Sequence, residues 1–146
     1  MTKDVLLSIS GMHYDVDGIE KGTEEAPIEL ITPASYYLKN GKHYVKYEEP
    51  VEGIPGVIKN TVKVSEDKVE MIKSGLSNTH MIFEKGKIHM TDYETPYGNL
   101  LVGVHTRVLD VQEEEKTIGI RVNYELDVNG DKLADCNIRM EIRARG

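Results

Sequence analysis

Histidine and carboxylate side chains are the first candidates for chemistry in this sequence, because they bind transition metals and move protons near neutral pH. A hairpin around Lys85-Gly86 would bring His80 and His89 onto one strand face as diagonal neighbours, with Cβ atoms roughly 7–8 Å apart. A shared metal would need a carboxylate as third ligand, and no HxH or HExxH spacing is present. Two solvent-facing histidines are the favoured interpretation, so no metal ligand is assigned.

An acidic segment near the N-terminus is similar to the start of a calcium loop. Asp15, Asp17 and Glu20 surround Gly18, whereas an EF-hand loop needs glycine at its sixth position and glutamate at its twelfth. Here the glycine comes fourth and the twelfth residue is Ala26. A solvated acidic loop is therefore favoured.

Nucleophilic catalysis finds no motif in the chain. There is no GxSxG elbow, and the carboxylate clusters Glu48-Glu49 and 113–115 fall at a strand end and in a turn. A charged rim explains both clusters, so we assign no catalytic residue and expect no cofactor.

Lys73 is the charge with the most functional interest. Alternation from Val69 and Met71 directs its side chain inward or to the barrel mouth, where the ammonium would meet a ligand carboxylate. The favoured alternative is a bulge that turns Lys73 outward.

The charge balance bounds the function classes. The chain of 146 residues has a formal net charge of −7, which disfavours nucleic-acid binding because that depends on surplus Lys and Arg. The basic stripe of Arg139, Arg143 and Arg145 shares its face with Asp135 and Glu141, which favours a solvated outer face. No stretch approaches the ~20 apolar residues of a membrane span, so we expect no membrane partner.

The N-terminus and the cysteine content predict a cytoplasmic location. Residues 1–11 carry Asp4 and only a short apolar run, too short and too polar for a signal peptide. Cys136, the single cysteine, cannot form an internal disulfide and lies on the apolar side of its strand. We expect a small buried hydrophobe in a reducing compartment.

The order of apolar and polar positions predicts the fold class. From Ser77 to Gly146 the two alternate with only short turn signals between runs, a pattern typical of strands with one buried face. With the strand segments upstream this gives about nine or ten locally connected strands. We therefore predict one all-β domain over residues 1–146, an antiparallel up-and-down barrel of about eight to ten strands, because closure removes exposed edges.

The turn signals also predict strand registers. Asn40-Gly41 suits a two-residue type I′ turn, in which both residues have positive φ. Lys85-Gly86 suits a similar hairpin. The expected inner pairs are Tyr36 with Val45, Ala34 with Tyr47, Leu38 with His43, Phe83 with Ile88 and Met81 with Met90, and Tyr37 faces Tyr44 outside.

The last hairpin poses a parity problem around Asn129-Gly130. Its two strands carry their apolar residues at even positions, for example Tyr124 and Cys136, whereas a two-residue turn pairs even with odd. A one-residue slip moves every side chain to the other face. We predict an odd-length loop with a left-handed Gly130 and a bulge.

Three blocks of the sequence are similar to a known family. They are Lys73-Ser74-Gly75, the run Tyr93-Glu94-Thr95-Pro96-Tyr97-Gly98, and Tyr124-Glu125-Leu126 leading into Asn129-Gly130. On these blocks the chain resembles, over nearly its whole length, the YwiB-like family of small bacterial proteins of unknown function. The resemblance implies a calycin-like barrel, the architecture of lipocalins and fatty-acid-binding proteins, and implies no activity or substrate.

The leading prediction of function is noncatalytic binding of a small amphipathic or hydrophobic molecule inside the barrel. A barrel of about eight strands is wide enough to hold side chains or one small ligand, and aromatic rings and thioethers provide adaptable contact surface. The predicted ligand-binding residues are Tyr36, Tyr47, Met71, Lys73, Met81, Phe83, Met90, Tyr93, Tyr97 and Tyr124.

Two alternatives stay open. One is a protein–protein interaction module, or a homodimer, that uses the outer rings of Tyr37 and Tyr44. The other, ranked last, is an enzyme that works at the barrel mouth. The bulky inner side chains would also make an ordinary packed core, so the sequence does not decide whether the interior is open.

Overall fold

The alternating segments form ten β-strands in a computed structural model that describes residues 3–11, 28–75, 78–95 and 98–145. The strands are β1 Lys3–Gly11, β2 Ile28–Lys39, β3 Lys42–Val51, β4 Ile54–Val64, β5 Lys68–Gly75, β6 Thr79–Glu84, β7 Ile88–Thr95, β8 Gly98–Glu113, β9 Thr117–Val128 and β10 Asp131–Ala144. They make one antiparallel sheet in the order β6-β5-β4-β3-β2-β1-β10-β9-β8-β7. The two outermost strands of this order follow each other in the chain, so the sheet curls into a nearly closed barrel. The all-β prediction is confirmed.

Up-and-down connections place successive turns at opposite ends of the barrel. One end carries the turns at residues 40–41, 65–67, 85–87 and 114–116, together with the start of β1 and the end of β10. The other end carries the remaining connections. At each end, barrel closure therefore brings together side chains that are far apart in the sequence.

The centre of the barrel is packed. Phe83 of β6 is fully buried, and its ring lies 4.8 Å from the ring of Tyr124 on β9, centroid to centroid, at a tilt of 59°. Tilted aromatic pairs at this spacing are favourable beyond the area they bury. Leu7, Val45 and Val122 are also fully buried. The side chains of the inner face thus fill the space between the two ends of the barrel.

The β6–β7 hairpin differs from the predicted one. No ladder joins these two strands within their described residues, and β7 pairs with β8 instead, with His89 opposite Val104 and Met90 opposite Gly103. Because Val104 faces the core, His89 faces inward and Met90 faces outward, where Met90 is 53% exposed. Gly103 has no side chain, so the Met90 sulfur lies over its backbone. The predicted inward position of Met90 is wrong.

The first hairpin follows the predicted register over its paired length. Asn40 and Gly41 have φ values of 52° and 75°, as a type I′ turn requires. Tyr36 pairs with Val45 and Leu38 with His43. The β2–β3 ladder ends at Ser35 and Lys46, so the expected pair of Ala34 with Tyr47 does not form. Beyond that point β2 and β3 separate, and the barrel wall has a gap.

In the last hairpin the apolar residues of both strands face inward as predicted, but the extra residue lies at a different position. Tyr124 lies opposite Cys136, as expected from the even-numbered apolar positions. The loop is the two-residue turn Asn129-Gly130, with φ values of 50° and 90°, and not an odd-length loop. A register shift between Lys132 and Ala134 supplies the extra residue. The bulge lies in the strand because Asn-Gly already satisfies type I′ geometry.

Several predictions fall on residues that the structure does not describe. The acidic segment from Asp15 to Glu20 lies within residues 12–27, outside the described ranges. Tyr97 is also outside the described ranges. Tyr93 belongs to β7, but its side chain lies outside the described part. Among the described residues, no helix is long and apolar enough to cross a bilayer.

Candidate functional site

A buried histidine lies at the end of the barrel that carries the Asn40-Gly41 turn. His43 of β3 faces inward opposite Val64 and is only 8% exposed. Its Nδ1 lies 2.7 Å from the Tyr36 hydroxyl, and its Nε2 is hydrogen-bonded to the Glu113 carboxylate. We call Tyr36, His43 and Glu113, with the cleft around them, the His43 mouth.

The chemistry of the three groups fixes the direction of this hydrogen-bond chain. An ionised Glu113 only accepts, so Nε2 of His43 carries hydrogen and donates. In the neutral ring Nδ1 is then an acceptor and takes the Tyr36 O–H. Burial raises the pKa of Tyr36 above 10, and the charge of Glu113 raises it further. Tyr36 therefore remains a neutral phenol, which argues against a phenolate nucleophile at this mouth.

A bulge in β8 places Glu113 at the mouth. Register shifts between Thr106 and Val108, so Arg107 is the extra residue and Leu109 pairs with Val122 on the inner face. Every second residue after Leu109 then faces inward, and Glu113 is the last of them. Without the bulge, the side chain of Glu113 would point to solvent.

The His43 mouth is amphipathic. It encloses a cleft of about 210 Å³, equal to about seven waters' share of liquid volume. Five apolar side chains form its walls, and Lys3 and residues 113–116 form its rim. The apolar wall residues are Val5, Leu38, Ile118, Ile142 and Ala144. Leu38 is 57% exposed, so an apolar surface faces solvent beside the buried polar chain.

The opposite end of the barrel carries a second polar cluster. Lys73 faces inward opposite Asn60, with no register shift in the β4–β5 ladder, so the favoured outward bulge at Lys73 is absent. The Lys73 Nζ lies 3.0 Å from a Glu49 carboxylate oxygen, and the Asn60 amide donates to the same oxygen at 2.8 Å. The Lys73 ammonium is thus already neutralised by a carboxylate of the protein.

Ionisation in this cluster reflects both burial and partners. Burial raises the pKa of Tyr47 to about 12, with a further contribution from the charge of Glu49. Burial alone would raise the pKa of Glu49, but hydrogen bonds from Lys73 and Asn60, and the charge of Lys73, outweigh it. The pKa of Glu49 therefore lies below its ordinary value of 4.5.

We expect Glu49 to make stability depend on acid pH. A depressed carboxyl pKa stabilises the fold above pH 4.5, and this contribution disappears as pH falls through the lower folded-state pKa. Glu49→Gln should lower the free energy of unfolding at pH 7 by roughly 0.5–1 kcal/mol, since the pair is one-third exposed and partly screened. Urea titrations at several pH values measure the difference.

The matched control is Glu48→Gln on the outer face, where Glu48 makes no ion pair within the described residues. Its effect on the free energy of unfolding at pH 7 should stay within about 0.5 kcal/mol of zero, because no ion pair is lost. A Glu49→Gln difference that stays constant between pH 3 and pH 7 would contradict the assignment.

The predicted ligand residues whose side chains are described divide among four places. Tyr47, Phe83 and Tyr124 are buried, and Met71 and Met81 pack against the core as an opposed pair. Tyr36 lies at the His43 mouth and Lys73 at the other end, while Met90 lies outside the barrel. The structure therefore does not gather the predicted set into one site. Sequence reasoning assigned no role to His43 or Glu113, although it placed His43 on the inner face.

The two histidines of the metal hypothesis are hydrogen-bonded to different carboxylates. His80 Nε2 lies 2.9 Å from Glu70, and His89 Nε2 lies 2.8 Å from Glu84. Because β6 and β7 form no ladder, the register that would make the two imidazoles neighbours is absent. Within the described ranges, no group of three or more His, Cys, Asp or Glu side chains could hold a metal ion.

The outer aromatic pair forms as predicted. The rings of Tyr37 and Tyr44 stack with centroids 4.7 Å apart and an interplanar angle of 6°. Lys46 lies over the Tyr37 ring and Lys63 over the Tyr44 ring, each with Nζ 5.5 Å from the centroid. The ammonium groups make cation–π contacts, so the protein itself supplies neighbours for both rings.

Cys136 is buried, as the sequence predicted. Burial raises the pKa of its thiol to about 11, because the thiolate would lose its hydration; a hydrogen bond with Tyr124 lowers it only in part. A protonated, buried thiol is a poor nucleophile and a poor metal ligand.

Comparisons with known proteins agree with the fold. A family model described as "Domain of unknown function (DUF1934)" matches residues 15–140. The "Uncharacterized beta-barrel protein YwiB" of Bacillus subtilis (strain 168) is 29% identical over 114 residues, which cover 78% of this chain and 79% of that protein. The crystal structure of the ywiB protein from Bacillus subtilis aligns with a TM-score of 0.78 at 22% identity, over 99% of this chain and 94% of that one. The resemblance drawn from the sequence blocks is confirmed.

Proposed function

The chain belongs to the family described as "Domain of unknown function (DUF1934)", whose description gives no activity, and we propose from the geometry that it binds a small amphipathic molecule, without catalysis, at the His43 mouth. The observation that carries the proposal is a buried, fully hydrogen-bonded histidine at the floor of a cleft with apolar walls. Sites for small molecules commonly combine apolar walls with a few convergent polar groups.

The packed centre restricts where the ligand binds. Phe83 and Tyr124 fill the middle of the barrel, so a ligand there would have to displace the core. A molecule at the mouth would instead cover Leu38 and Ile118 and place its polar head near Glu113. The proposal therefore moves the binding site from the interior expected from sequence to one end.

The charges of the cleft suggest the type of polar head. Glu113, Glu114 and Glu115 outnumber the two lysines of the lining, Lys3 and Lys116. A head that is cationic or donates hydrogen bonds complements this rim, and a carboxylate head is disfavoured. The buried Cys136 is consistent with the cytoplasmic setting that we also propose.

Hexylamine, hexanol and hexanoate are suitable probes, because they differ only in the head group. We expect methyl chemical shifts of Leu38 and Ile118 to move with hexylamine, with a dissociation constant of about 1 mM, or about −4 kcal/mol. Hexanol should bind more weakly and hexanoate most weakly. Leu38→Ser should weaken hexylamine binding about fivefold, through lost apolar contact.

Leu101→Ser is the matched control, because Leu101 is also a large exposed apolar residue but lies on the outer face of β8, away from the cleft. It should leave the binding constant within about a factor of two. Tightest binding of hexanoate, or equal losses in both variants, would contradict binding at the His43 mouth.

The outer-face alternative has less support. Lys46 and Lys63 already cover the stacked rings of Tyr37 and Tyr44, so a partner would have to displace them or dock on the ring edges. Sedimentation of the wild type against the Tyr37→Ala, Tyr44→Ala double variant tests the homodimer form of this alternative, which requires a wild-type dimer that the substitutions dissociate.

A further inference from the structure

A second cleft, of about 490 Å³, lies on the outer face of the barrel over β1, β8, β9 and β10. It is unrelated to the His43 mouth, which opens at one end of the barrel. Its lining includes two arginines, Arg121 of β9 and Arg139 of β10, and two carboxylates, Asp110 of β8 and Glu141 of β10, together with Ser10 and Gln112. These side chains offer hydrogen-bond donors on an open, concave surface.

Gly119 creates the depth of this cleft. A Cβ placed on Gly119 would meet no other atom within 4 Å, so the space above its backbone is open. Its neighbours along the strand have side chains, and Arg121 is the next residue that faces outward. A glycine at this strand position loses packing, but it leaves room for a small group beside the two arginines.

The two arginines lie directly opposite each other. Arg121 and Arg139 are cross-strand partners in the β9–β10 ladder. Like charges in directly opposed positions destabilise a strand pair. Asp110, on the other side of Arg121, offsets part of this repulsion. An anion between the two guanidinium groups would remove the rest, which is an electrostatic reason to expect a ligand there.

Arg139 has no ion-pair partner among the residues that the structure describes. Arg121 forms an ion pair with Asp110, with an N···O distance of 3.3 Å, and Arg143 forms one with Glu141, with an N···O distance of 2.9 Å. Within the part of the chain that the structure describes, no ion pair includes Arg139.

The acidic residues that share this strand face do not change that balance. Asp135 is held by Arg107 at 3.2 Å and by Lys132 at 3.4 Å. The solvated face expected from sequence relied on Asp135 and Glu141 to balance Arg139, Arg143 and Arg145. Glu141 does pair with Arg143, but Asp135 pairs with cations outside that set, and neither carboxylate pairs with Arg139.

We propose that this outer cleft binds the phosphate group of a small hydroxylated phosphate ester, with Arg139 as anchor and Arg121 as second ligand. The planar guanidinium fork matches the geometry of phosphate oxygens, and a phosphate ester offers three acceptor oxygens to the two guanidinium groups, whereas a carboxylate offers two. Ser10 and Gln112 provide donors and acceptors for the hydroxyl groups of the ester.

Glycerol phosphate, inorganic phosphate, acetate and glycerol are the probes, titrated into the full chain at constant ionic strength because exposed charges are screened by salt. The readout is the side-chain Nε–H resonances of Arg121 and Arg139. We expect saturable shifts, with glycerol phosphate bound more tightly than inorganic phosphate and both more tightly than acetate, and no shift with glycerol.

Two substitutions test the geometry. Arg139→Gln should weaken glycerol phosphate binding about tenfold, through loss of a charge-assisted contact. Gly119→Leu should block the cleft by filling it, and the fold should tolerate the change because Gly119 has no positive φ and no close neighbour at its Cβ. Arg107→Gln, which removes an outer-face arginine that does not line the cleft, should change the binding constant by less than about twofold.

Three results would overturn the proposal. They are the absence of saturation, binding unchanged by Gly119→Leu, and equal losses in Arg139→Gln and Arg107→Gln, which would indicate diffuse surface charge. Acetate binding as tight as phosphate would overturn the assignment to phosphate esters. None of these outcomes depends on hexylamine binding at the His43 mouth.

Discussion

Replacement of Phe83 by alanine is expected to lower the free energy of unfolding by about 3–5 kcal/mol. Phe83 is fully buried and contacts the Tyr124 ring at the centre of the barrel. The substitution removes apolar area and the aromatic pair, and it leaves a cavity that neighbouring strands cannot close without breaking their ladders. Urea denaturation followed by circular dichroism measures the change.

A milder variant keeps the test informative if the alanine variant unfolds. Phe83→Leu should cost about 1–2 kcal/mol, since most of the apolar volume remains. Leu101→Ala, at an exposed position, should stay within about 0.5 kcal/mol of the wild type. A loss below about 1.5 kcal/mol for Phe83→Ala would mean that the barrel centre is loosely packed.

Replacement of Thr106 by valine is expected to stabilise the protein by about 1–2 kcal/mol. Thr106 is fully buried opposite Tyr124, and within the part of the chain that the structure describes its hydroxyl oxygen has no hydrogen-bond partner. Valine has nearly the same shape, and it removes a polar group that loses its hydration on folding. The melting temperature should rise by about 2–4 °C per kcal/mol in a chain of this size.

Thr61→Val is the matched control, because Thr61 lies on the outer face of β4 and is only partly buried. Its effect should be within about 0.5 kcal/mol of zero. A destabilised Thr106→Val protein would mean that the hydroxyl has a partner in solution, such as an ordered water.

The barrel itself could be predicted from sequence because its determinants are local. Asn40-Gly41 has the backbone preference of a type I′ turn, and strand alternation assigns Tyr36 and Tyr37 to opposite faces without any knowledge of the rest of the chain. Faces flanking Asn129-Gly130 were also correct, since the apolar parity of both strands demanded an even-to-even register. The predicted position of the extra residue was wrong, because an extra residue in the loop and an extra residue in the strand restore the same register.

The closing seam could not be predicted in the same way. Phe83 and Met81 next to a Lys85-Gly86 turn imply a hairpin with Ile88 and Met90. In the structure the Gly86 amide instead donates to the Thr106 carbonyl, and β7 pairs with β8 rather than with β6. A curled sheet has two edge strands, and local sequence patterns do not indicate which two neighbouring strands lack hydrogen bonds to each other.

The candidate site depends on contacts that are remote in sequence. His43 and Glu113 are 70 residues apart, and only barrel closure brings them together. One sequence signal pointed to part of this arrangement. Leu109 and Val111 are apolar at odd positions after the even series that ends at Thr106, which indicates a bulge in β8 and an inward Glu113.

The most direct test of binding at the His43 mouth is a set of intermolecular NOEs in the hexylamine complex. We expect NOEs from the alkyl protons of hexylamine to the methyl groups of Leu38 and Ile118, and none to the rings of Phe83 and Tyr124. NOEs to those two rings would show that the ligand enters the barrel centre, and the absence of any NOE at Leu38 and Ile118 would contradict binding at this mouth.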